Sequence, residues 1–291
     1  MHSSLIVFTI LVAVVWRWRW QRPTGPWQTR WESALSAFCL PPLMVMLAAG
    51  AVLAMGHHGT MLGWSVSPVG CWLSLGVLTL AGGVFAHALG QTVRTQWRLR
   101  QYPVVILPEV GPARCLPLDW PMAAQVGLWR STLLVSRGWL EQLTPAEQQA
   151  ILAHEQAHAD YRDPFWFFWL GVVRRFACWL PNTTSLWEEL LLLREMRADH
   201  QAANTSDPLL LAELLVKLAR QMALASIPHP LEAEITSCVG FNEALSLTRL
   251  EQRVNALVES NPMTTLPTRR GGRLARLVAV ALPLAATWLH M

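Results

Sequence analysis

Charged side chains are scarce in this chain of 291 residues. Only 14% of the residues are Asp, Glu, Lys or Arg and 53% are hydrophobic, whereas an ordinary soluble domain has about 25% charged residues. The mean hydropathy of +0.29 shows the same imbalance. The composition therefore predicts that part of the chain lies in lipid rather than in a water-soluble core.

Long basic runs and paired cysteines are also missing. The net charge is +4, but the basic residues are dispersed and several flank apolar segments, as membrane topology requires. The five cysteines form no C-x-x-C pair, and an odd number does not make a disulfide framework. The sequence therefore predicts no direct binding to nucleic acid and no cysteine metal site.

Four apolar segments are candidate membrane spans. Residues 34–55 and 71–89 contain no charged side chain, and each has about the length needed to cross the hydrocarbon. Residues 5–16 and 274–289 are shorter, and flanking Trp and Arg residues can extend the first of them. The first segment is interpreted as an uncleaved anchor rather than a signal peptide, because its arginines follow the apolar core. We therefore expect about four transmembrane helices.

The placement of arginine predicts the orientation of these helices. The arginine-rich residues 17–30 are assigned to the cytoplasm, as are the arginines that follow the third segment. The N-terminus is then outside. We expect three transmembrane helices in residues 1–90, a cytoplasmic domain in residues 91–272, and a last transmembrane helix in residues 273–291.

A fifth apolar run, residues 164–180, lies inside the expected cytoplasmic domain. It contains Arg174 and Arg175, and a guanidinium near the bilayer centre costs several kcal/mol. One crossing would also separate two segments that must be on the same side. We interpret this run as an interfacial or re-entrant helix, with a buried core helix as the alternative.

One predicted helix carries two histidines one turn apart. Thr144 and Glu147 form the pattern of a capping box at its start, and His154 and His158 then share one face. Imidazoles at this spacing bind a single tetrahedral zinc ion, and Glu155 lies close enough to touch a metal-bound water. A carboxylate there can take the proton of that water during attack on a peptide carbonyl. The pattern predicts a zinc hydrolase.

A third zinc ligand is expected from a later helix, predicted to begin at a second capping pattern at Ser185. Glu195 and Asp199 lie four residues apart and so share one face of that helix. Glu195 would complete a His₂Glu site with one open position, and Asp199 would orient a ligating imidazole. The alternative is that both carboxylates pair with Arg194 and Arg197 on a solvated face.

These motifs resemble the membrane metallopeptidases of the BlaR/MecR type, which are antirepressors. The matching residues are H-E-x-x-H at His154, the following Arg162-Asp163-Pro164, and E-x-x-A-D at Glu195. The resemblance extends from the first span to Leu257. It implies a helical, multi-pass protein of the bacterial inner membrane with a cytoplasmic α+β zincin domain of the gluzincin type. HtpX-like quality-control proteases share the first and last motifs more distantly.

The resemblance also implies a strand that binds substrate. Residues 127–136 look like the strand that both groups place beside the active site. Gly127, Leu128 and Trp129 would pair there with an extended substrate through backbone hydrogen bonds. The antirepressors carry a penicillin-binding domain after their last span, whereas this sequence stops at Met291, so a role in β-lactam sensing is not expected.

The expected function is regulatory proteolysis at the membrane surface. Zn²⁺ is the expected cofactor, and the expected partners are a protein substrate such as a transcriptional repressor and the lipid bilayer, with a homo-oligomer left open. Two alternatives remain, a quality-control protease for membrane proteins and a non-catalytic signalling scaffold in which zinc is structural. His200 and the pair His57 and His58 are interpreted as surface or loop residues. Arg253 is interpreted as structural, and the role of His229 is left open.

Overall fold

The computed structural model describes residues 2–56, 60–61, 64–65, 68–108, 110–224 and 247–259. Helices dominate, and they are α1 His2–Trp18, α2 Trp27–Met55, α3 Pro68–Leu99, α4 Arg137–Gln142, α5 Pro145–Asp160, α6 Asp163–Phe176, α7 Thr183–Ala202, α8 Pro208–Leu224 and α9 Leu247–Val258. The strands are β1 Thr60–Met61, β2 Trp64–Ser65, β3 Val104–Leu107, β4 Gly111–Leu116, β5 Ala123–Val126 and β6 Thr132–Ser136. These elements agree with a helical protein that contains an α+β domain. The expected last span, His57, His58 and His229 lie outside the described residues.

The chain divides into two compact units. The first, here the apolar unit, contains the residues up to His87 together with Leu170–Leu190. The second, here the sheet unit, contains Ala88–Trp169 and the described residues from Leu191 onward. Residues 170–190 therefore group with the N-terminal helices rather than with the rest of residues 91–272. The reason is apolar packing of Ala177 and Leu180 in one cluster with residues of α1 and α2.

Within the described part of the chain, two helices are long and apolar enough to cross a membrane. They are α2, with 29 residues, and α3, with 32 residues, and they contain the predicted spans 34–55 and 71–89. The helix α1 is a shorter apolar helix of 17 residues. Helix α2 continues through Pro41 and Pro42, an interruption that membrane helices tolerate when neighbouring groups satisfy the freed carbonyls.

Buried polar contacts join the connection between α1 and α2 to the start of α7, all within the apolar unit. The Asn182 side chain donates a hydrogen bond to the backbone oxygen of Arg17 at 2.8 Å. The Glu189 side chain is fully buried and forms ion pairs with Arg22 Nε at 2.8 Å and with Arg30 Nε at 2.7 Å. A buried carboxylate needs such partners because its desolvation is costly.

Helix α7 begins two residues before the predicted capping residue Ser185. Asn182 has a left-handed backbone with φ 56°, and the Thr183 hydroxyl donates to the carbonyls of Ala177 and Leu180 at 2.8 Å. These contacts turn the chain sharply after α6. Ser185 is consequently already inside the helix, where its pattern with Glu188 does not mark the start.

The sheet unit contains a four-stranded mixed sheet in the order β3-β4-β6-β5. The pairs β3–β4 and β5–β6 are antiparallel, and β4–β6 is parallel. All four residues of β5 are buried. One apolar cluster joins the sheet to α5 and α8 through Ala123, Val135, Ala150, Ile151 and Leu211. This packing holds the helix with the paired histidines against the edge strand β5.

The predicted strand over residues 127–136 is correct only for Thr132–Ser136. Gly127, Leu128 and Trp129 instead lie in the bend between β5 and β6. Gly127 has φ 149°, and a Cβ atom there would lie 2.2 Å from the backbone oxygen of Arg130. The tight turn thus requires glycine and prevents these residues from continuing a strand. The two edge strands of the sheet are β3 and β5.

Candidate metal centre

Helix α5 begins where the sequence predicts. The Thr144 hydroxyl accepts a hydrogen bond from Glu147 N, and Glu147 Oε2 accepts one from Thr144 N at 2.8 Å, so the capping box is complete. The Lys217 ammonium of α8 lies 2.6 Å from Glu147 Oε1. Its hydrogen bond is the main reason that the pKa of Glu147 is below its ordinary value. The start of α5 is thereby held to both the preceding loop and α8.

The structure brings His154, His158 and Glu195 together in a buried group. The two Nε2 atoms of the histidines are 3.1 Å apart, and the imidazole planes are nearly perpendicular at 86°. Glu195 Oε2 lies 3.4 Å from His154 Nε2, and Glu195 Oε1 lies 3.7 Å from His158 Nε2. Three donor atoms from α5 and α7 therefore converge on one point.

The spacing of these donor atoms fits a small metal ion. Ligand atoms about 2.0–2.1 Å from a tetrahedral zinc ion lie about 3.3–3.4 Å from one another. The distance of 3.1 Å between the two Nε2 atoms and the two distances of 3.4 and 3.7 Å from Nε2 to a Glu195 oxygen span this value. Two imidazoles and one carboxylate are also the donor types that suit zinc and leave a fourth position for another ligand.

Carboxylates contact the other nitrogen of each imidazole. Asp199 Oδ1 lies 2.9 Å from His154 Nδ1, and Asp163 Oδ2 lies 2.8 Å from His158 Nδ1. A neutral imidazole that donates its Nδ1 proton to a carboxylate has a lone pair on Nε2. Both Nε2 lone pairs would then face one another at 3.1 Å, an arrangement that a cation between them stabilises. Carboxylates in this position also fix ring orientation in metal sites.

Asp163 reaches His158 because α5 and α6 join through a sharp turn. Arg162 has a left-handed backbone with φ 53°, and α6 starts at the next residue. The second oxygen of Asp163 accepts a hydrogen bond from Arg197 of α7. Burial raises the pKa of Asp163, but its contacts with His158 and Arg197 outweigh this effect and lower it. Asp163 is therefore anionic at neutral pH.

Two arginines surround the carboxylates of α7. Arg253 of α9 donates two hydrogen bonds to Asp199, from Nε at 2.7 Å and from Nη2 at 2.8 Å, and its Nη1 is 3.4 Å from Glu195 Oε2. Arg194 Nη2 lies 2.6 Å from Glu195 Oε1. The pKa of Glu195 is well below its usual range because these guanidiniums and the histidines outweigh burial.

Glu195 and Asp199 do not form ion pairs on a solvated face. Both carboxylates are buried. Arg194 does contact Glu195, but its guanidinium is buried and stacks 4.6 Å from the ring centre of Phe167. Arg197 contacts Asp163 rather than Asp199. The arginines thus belong to the interior of the site.

Glu155, the residue after His154, is buried in α5. Burial raises the pKa of its carboxyl group, and the neighbouring His158 and His154 only partly oppose this. A carboxyl group with a raised pKa accepts and returns a proton more readily near neutral pH. His200, in contrast, is exposed at the end of α7 and takes no part in the group.

The carboxylates around His154 favour its protonated form. Burial lowers the pKa of His154, but contacts with Asp199 and Glu195 outweigh it and raise the pKa to about 10. The carboxylates of Asp199 and Glu195, which lie 2.9 Å from His154 Nδ1 and 3.4 Å from His154 Nε2, favour either an imidazolium or a metal cation at this position.

Sequence reasoning missed three contributors to the site. The sequence indicates Asp163 only as part of a family motif, although its position five residues after His158 permits the contact. It indicates Arg194 only as a surface partner of Glu195. It favours a structural role for Arg253, which lies 54 residues from Asp199 along the chain, so no local spacing connects the two.

Searches with protein-family models and against curated proteins give no match to the chain. The geometry of the described residues is therefore the basis for a functional assignment.

Proposed function

We propose that the chain is a membrane-anchored, zinc-dependent endopeptidase. The observation that supports this most directly is the convergence of His154, His158 and Glu195 on one point, with Glu155 adjacent in the same helix. Bound zinc would supply Lewis-acid polarisation of a carbonyl oxygen and would acidify water. The resemblance to BlaR/MecR-type proteins adds the expectation that the sheet unit is a gluzincin domain.

Glu155 is the proposed catalytic base. Its carboxylate takes a proton from the attacking water and then delivers that proton to the amide nitrogen of the leaving amine. The raised pKa of Glu155, caused by burial, suits both steps. His154, His158 and Glu195 would hold the ion, Asp199 and Asp163 orient the two rings, and Arg253 and Arg194 keep the carboxylates of Asp199 and Glu195 ionised.

An extended substrate is proposed to add to the edge strand β5. Within the described residues β5 pairs with β6 alone, and β5 packs against α5, the helix of His154. An edge strand binds peptides through backbone hydrogen bonds with little dependence on sequence. In this proposal Gly127, Leu128 and Trp129 form the turn beside the bound peptide rather than its partner strand.

Membrane anchoring is supported by the apolar helices α2 and α3. The arginines that flank them favour a sheet unit on the cytoplasmic side of the bacterial inner membrane. The resemblance to antirepressors favours a cytoplasmic repressor as the substrate, so that cleavage is regulatory. The alternative, quality control of membrane proteins, would use the same chemistry but act on many substrates rather than on one or a few.

The central experiment replaces Glu155→Gln. The neutral amide cannot accept the proton of water, so we expect cleavage to fall by at least a thousandfold, whereas zinc content stays at one ion per chain. Fragments are detected by mass spectrometry of protein N-termini in cells that carry wild type or variant, and zinc by elemental analysis. The matched control is Glu141→Gln, an exposed glutamate of α4, which should cleave like wild type.

Three outcomes of this experiment separate the alternatives. Fragments from one or a few proteins indicate regulation, and fragments from many membrane proteins indicate quality control. If the Glu155→Gln protein made the same fragments as wild type, the proposed mechanism would be wrong. Full biological activity of Glu155→Gln without any fragments would instead favour a non-catalytic scaffold.

A further inference from the structure

Exposed tryptophans form a contiguous patch on the sheet unit. The side chains of this aromatic patch are Trp129 in the β5–β6 turn and Phe165, Trp166 and Trp169 of α6. Phe165 lies at the centre, with ring centroids 5.3 Å from Trp129, 5.2 Å from Trp166 and 6.4 Å from Trp169. Trp129 is 80% exposed, Trp166 58% and Trp169 41%. Exposed aromatic clusters of this kind mark a binding surface.

The exposed rings of the aromatic patch do not pack into the core of the sheet unit. Trp169 is four residues after Phe165 and three after Trp166, so its ring is a neighbour of both on the outer side of α6. The intervening Phe167 is buried and stacks on Arg194, so α6 has an inner face toward the site and an outer aromatic face. Trp129 is at the tip of a turn, where its ring packs on Phe165 alone among the described rings.

Basic side chains border the aromatic patch. Arg130 follows Trp129, Arg162 precedes α6, and both are exposed. Neither forms an ion pair with a residue in the described part of the chain. Indole rings prefer the headgroup region of a bilayer, where an apolar ring and a polar N–H are both accommodated. Guanidiniums beside them add attraction to anionic lipids.

The aromatic patch is also directly connected to the metal centre. Asp163, which contacts His158 Nδ1 at 2.8 Å, precedes Phe165 by two residues in the first turn of α6. The turn that carries Trp129 begins where the edge strand β5 ends. Any surface that binds the patch therefore lies close to both a histidine of the site and the proposed peptide-binding edge.

We propose that the aromatic patch docks on the headgroup region of an anionic lipid bilayer and holds the active site at the membrane surface. The consequence for substrates rests on the proposed peptidase activity and favours its membrane-protein substrates over a soluble repressor: the enzyme cleaves protein segments that lie next to a membrane span. Distant cytoplasmic segments would not reach the edge strand while the patch is docked. A protein partner would need an acidic surface with apolar pockets, for which the chain provides no separate indication.

The lipid contact is tested with the full chain in nanodiscs. A photo-crosslinking benzoylphenylalanine replaces Trp129, Trp166 or, as control, the exposed Glu141 of α4. In phosphatidylglycerol nanodiscs we expect at least tenfold more lipid adducts at positions 129 and 166 than at 141, measured by mass spectrometry. In phosphatidylcholine nanodiscs the adducts at 129 and 166 should fall severalfold. Unchanged zinc content of each variant shows that the fold is retained.

Two results would overturn the lipid contact, and a third would overturn its preference for anionic lipid. Adducts at 129 and 166 no more abundant than at 141 would exclude a bilayer contact. Adducts with a protein rather than lipid, obtained in native membranes, would identify a protein partner instead. Equal yields in the two lipids would remove the preference for anionic headgroups.

The consequence for substrates is tested with Trp129→Ala combined with Trp166→Ala. Fragments that arise within about 30 residues of a membrane span should decrease at least fivefold relative to wild type, at unchanged zinc content. An unchanged set of fragments would contradict docking as a determinant of the substrate. If wild type itself made no fragments, the proposed peptidase activity would be wrong. The crosslinking experiment would still test the lipid contact, because it does not depend on cleavage.

Discussion

Helix α7 carries two buried glutamates that each face two arginines. Glu189, in the apolar unit, contacts Arg22 and Arg30 at 2.8 and 2.7 Å. Glu195, in the sheet unit, contacts Arg194 at 2.6 Å and Arg253 at 3.4 Å. Both side chains are almost completely removed from solvent. By burial and by arginine partners alone the two residues are nearly equivalent.

The difference lies in what else each carboxylate faces. Glu195 is within 3.7 Å of two imidazole nitrogens whose opposite nitrogens contact Asp199 and Asp163. Glu189 has no histidine partner among its described contacts. A buried glutamate with arginines is a structural ion pair, and the converging imidazoles turn the same arrangement into a ligand set. The two residues thus form an internal control for each other.

The largest expected difference between them is in metal binding. Glu195→Gln replaces an anionic ligand with a neutral amide, and we expect zinc affinity to fall by more than the ten- to hundredfold that the loss of a supporting partner costs. Glu189→Gln should leave the affinity within about threefold of wild type. Competition with a chromogenic chelator measures both. Equal losses in the two variants would show that unfolding, not ligand removal, causes the effect.

The histidine pair and the start of α5 could be predicted from local spacing. Residues four apart share a helix face, and the capping box of Thr144 needs only residues of the first turn. Glu195 could be predicted as the third ligand because Asp199 follows it four residues later, on the same face of the helix. The partnership of Arg253 with Asp199 could not be predicted, because tertiary packing alone brings α9 to α7.

The turn after β5 shows a second limit of the sequence. The family resemblance implies one strand over residues 127–136, but the close approach of the Gly127 backbone to Arg130 O shortens it. A resemblance between sequences does not reveal such a contact between backbone atoms. Glu189 was likewise not singled out, because Arg22 and Arg30 precede it by more than 150 residues and no motif links them.

Acidification should weaken metal binding strongly. Contacts with Asp199 and Glu195 raise the pKa of His154 to about 10 in the protein without a bound ion, so a proton must leave before zinc binds. Each pH unit below that pKa then lowers the apparent affinity for zinc about tenfold, which amounts to about a hundredfold from pH 8 to pH 6. The affinity therefore rises with pH. Chelator competition at several pH values gives the slope.

The zinc affinity of Glu189→Gln should depend on pH with the same slope as that of wild type, since the substitution does not change the protonation of His154, His158 or Glu195. A flat profile in wild type would show that His154 is already neutral over this range. A change of slope in Glu189→Gln alone would mean that the ion pairs of the apolar unit influence protonation of the metal centre, contrary to the distinction between the two glutamates.

Loss of an orienting carboxylate should have a smaller effect than loss of a ligand. Asp163→Asn keeps the shape of the side chain but removes the charge that faces His158 Nδ1, and we expect a ten- to hundredfold lower zinc affinity. The matched control is Asp160→Asn, three residues earlier. Among the described residues, the Asp160 carboxylate accepts hydrogen bonds from the side chains of Gln156 and Gln201, and we expect this substitution to change the affinity by less than about threefold. Similar losses of zinc affinity in the two variants would show that a disturbed α5–α6 turn, rather than the lost contact with His158, causes the effect.

The smallest expected effect is on the stability of the Glu189 ion pairs themselves. Arg30 is 15% exposed and Arg22 46%, so water weakens the second pair more than the first. Double-mutant cycles that combine Glu189→Gln with Arg30→Gln or Arg22→Gln isolate each coupling. We expect about 1–2 kcal/mol for Arg30 and less than about 1 kcal/mol for Arg22. Unfolding in detergent micelles, with zinc content as the control, gives both values. Equal coupling energies for Arg30 and Arg22 would mean that solvent exposure does not determine the strength of these ion pairs. A lower zinc content in the Glu189 variants would contradict a purely structural role for Glu189.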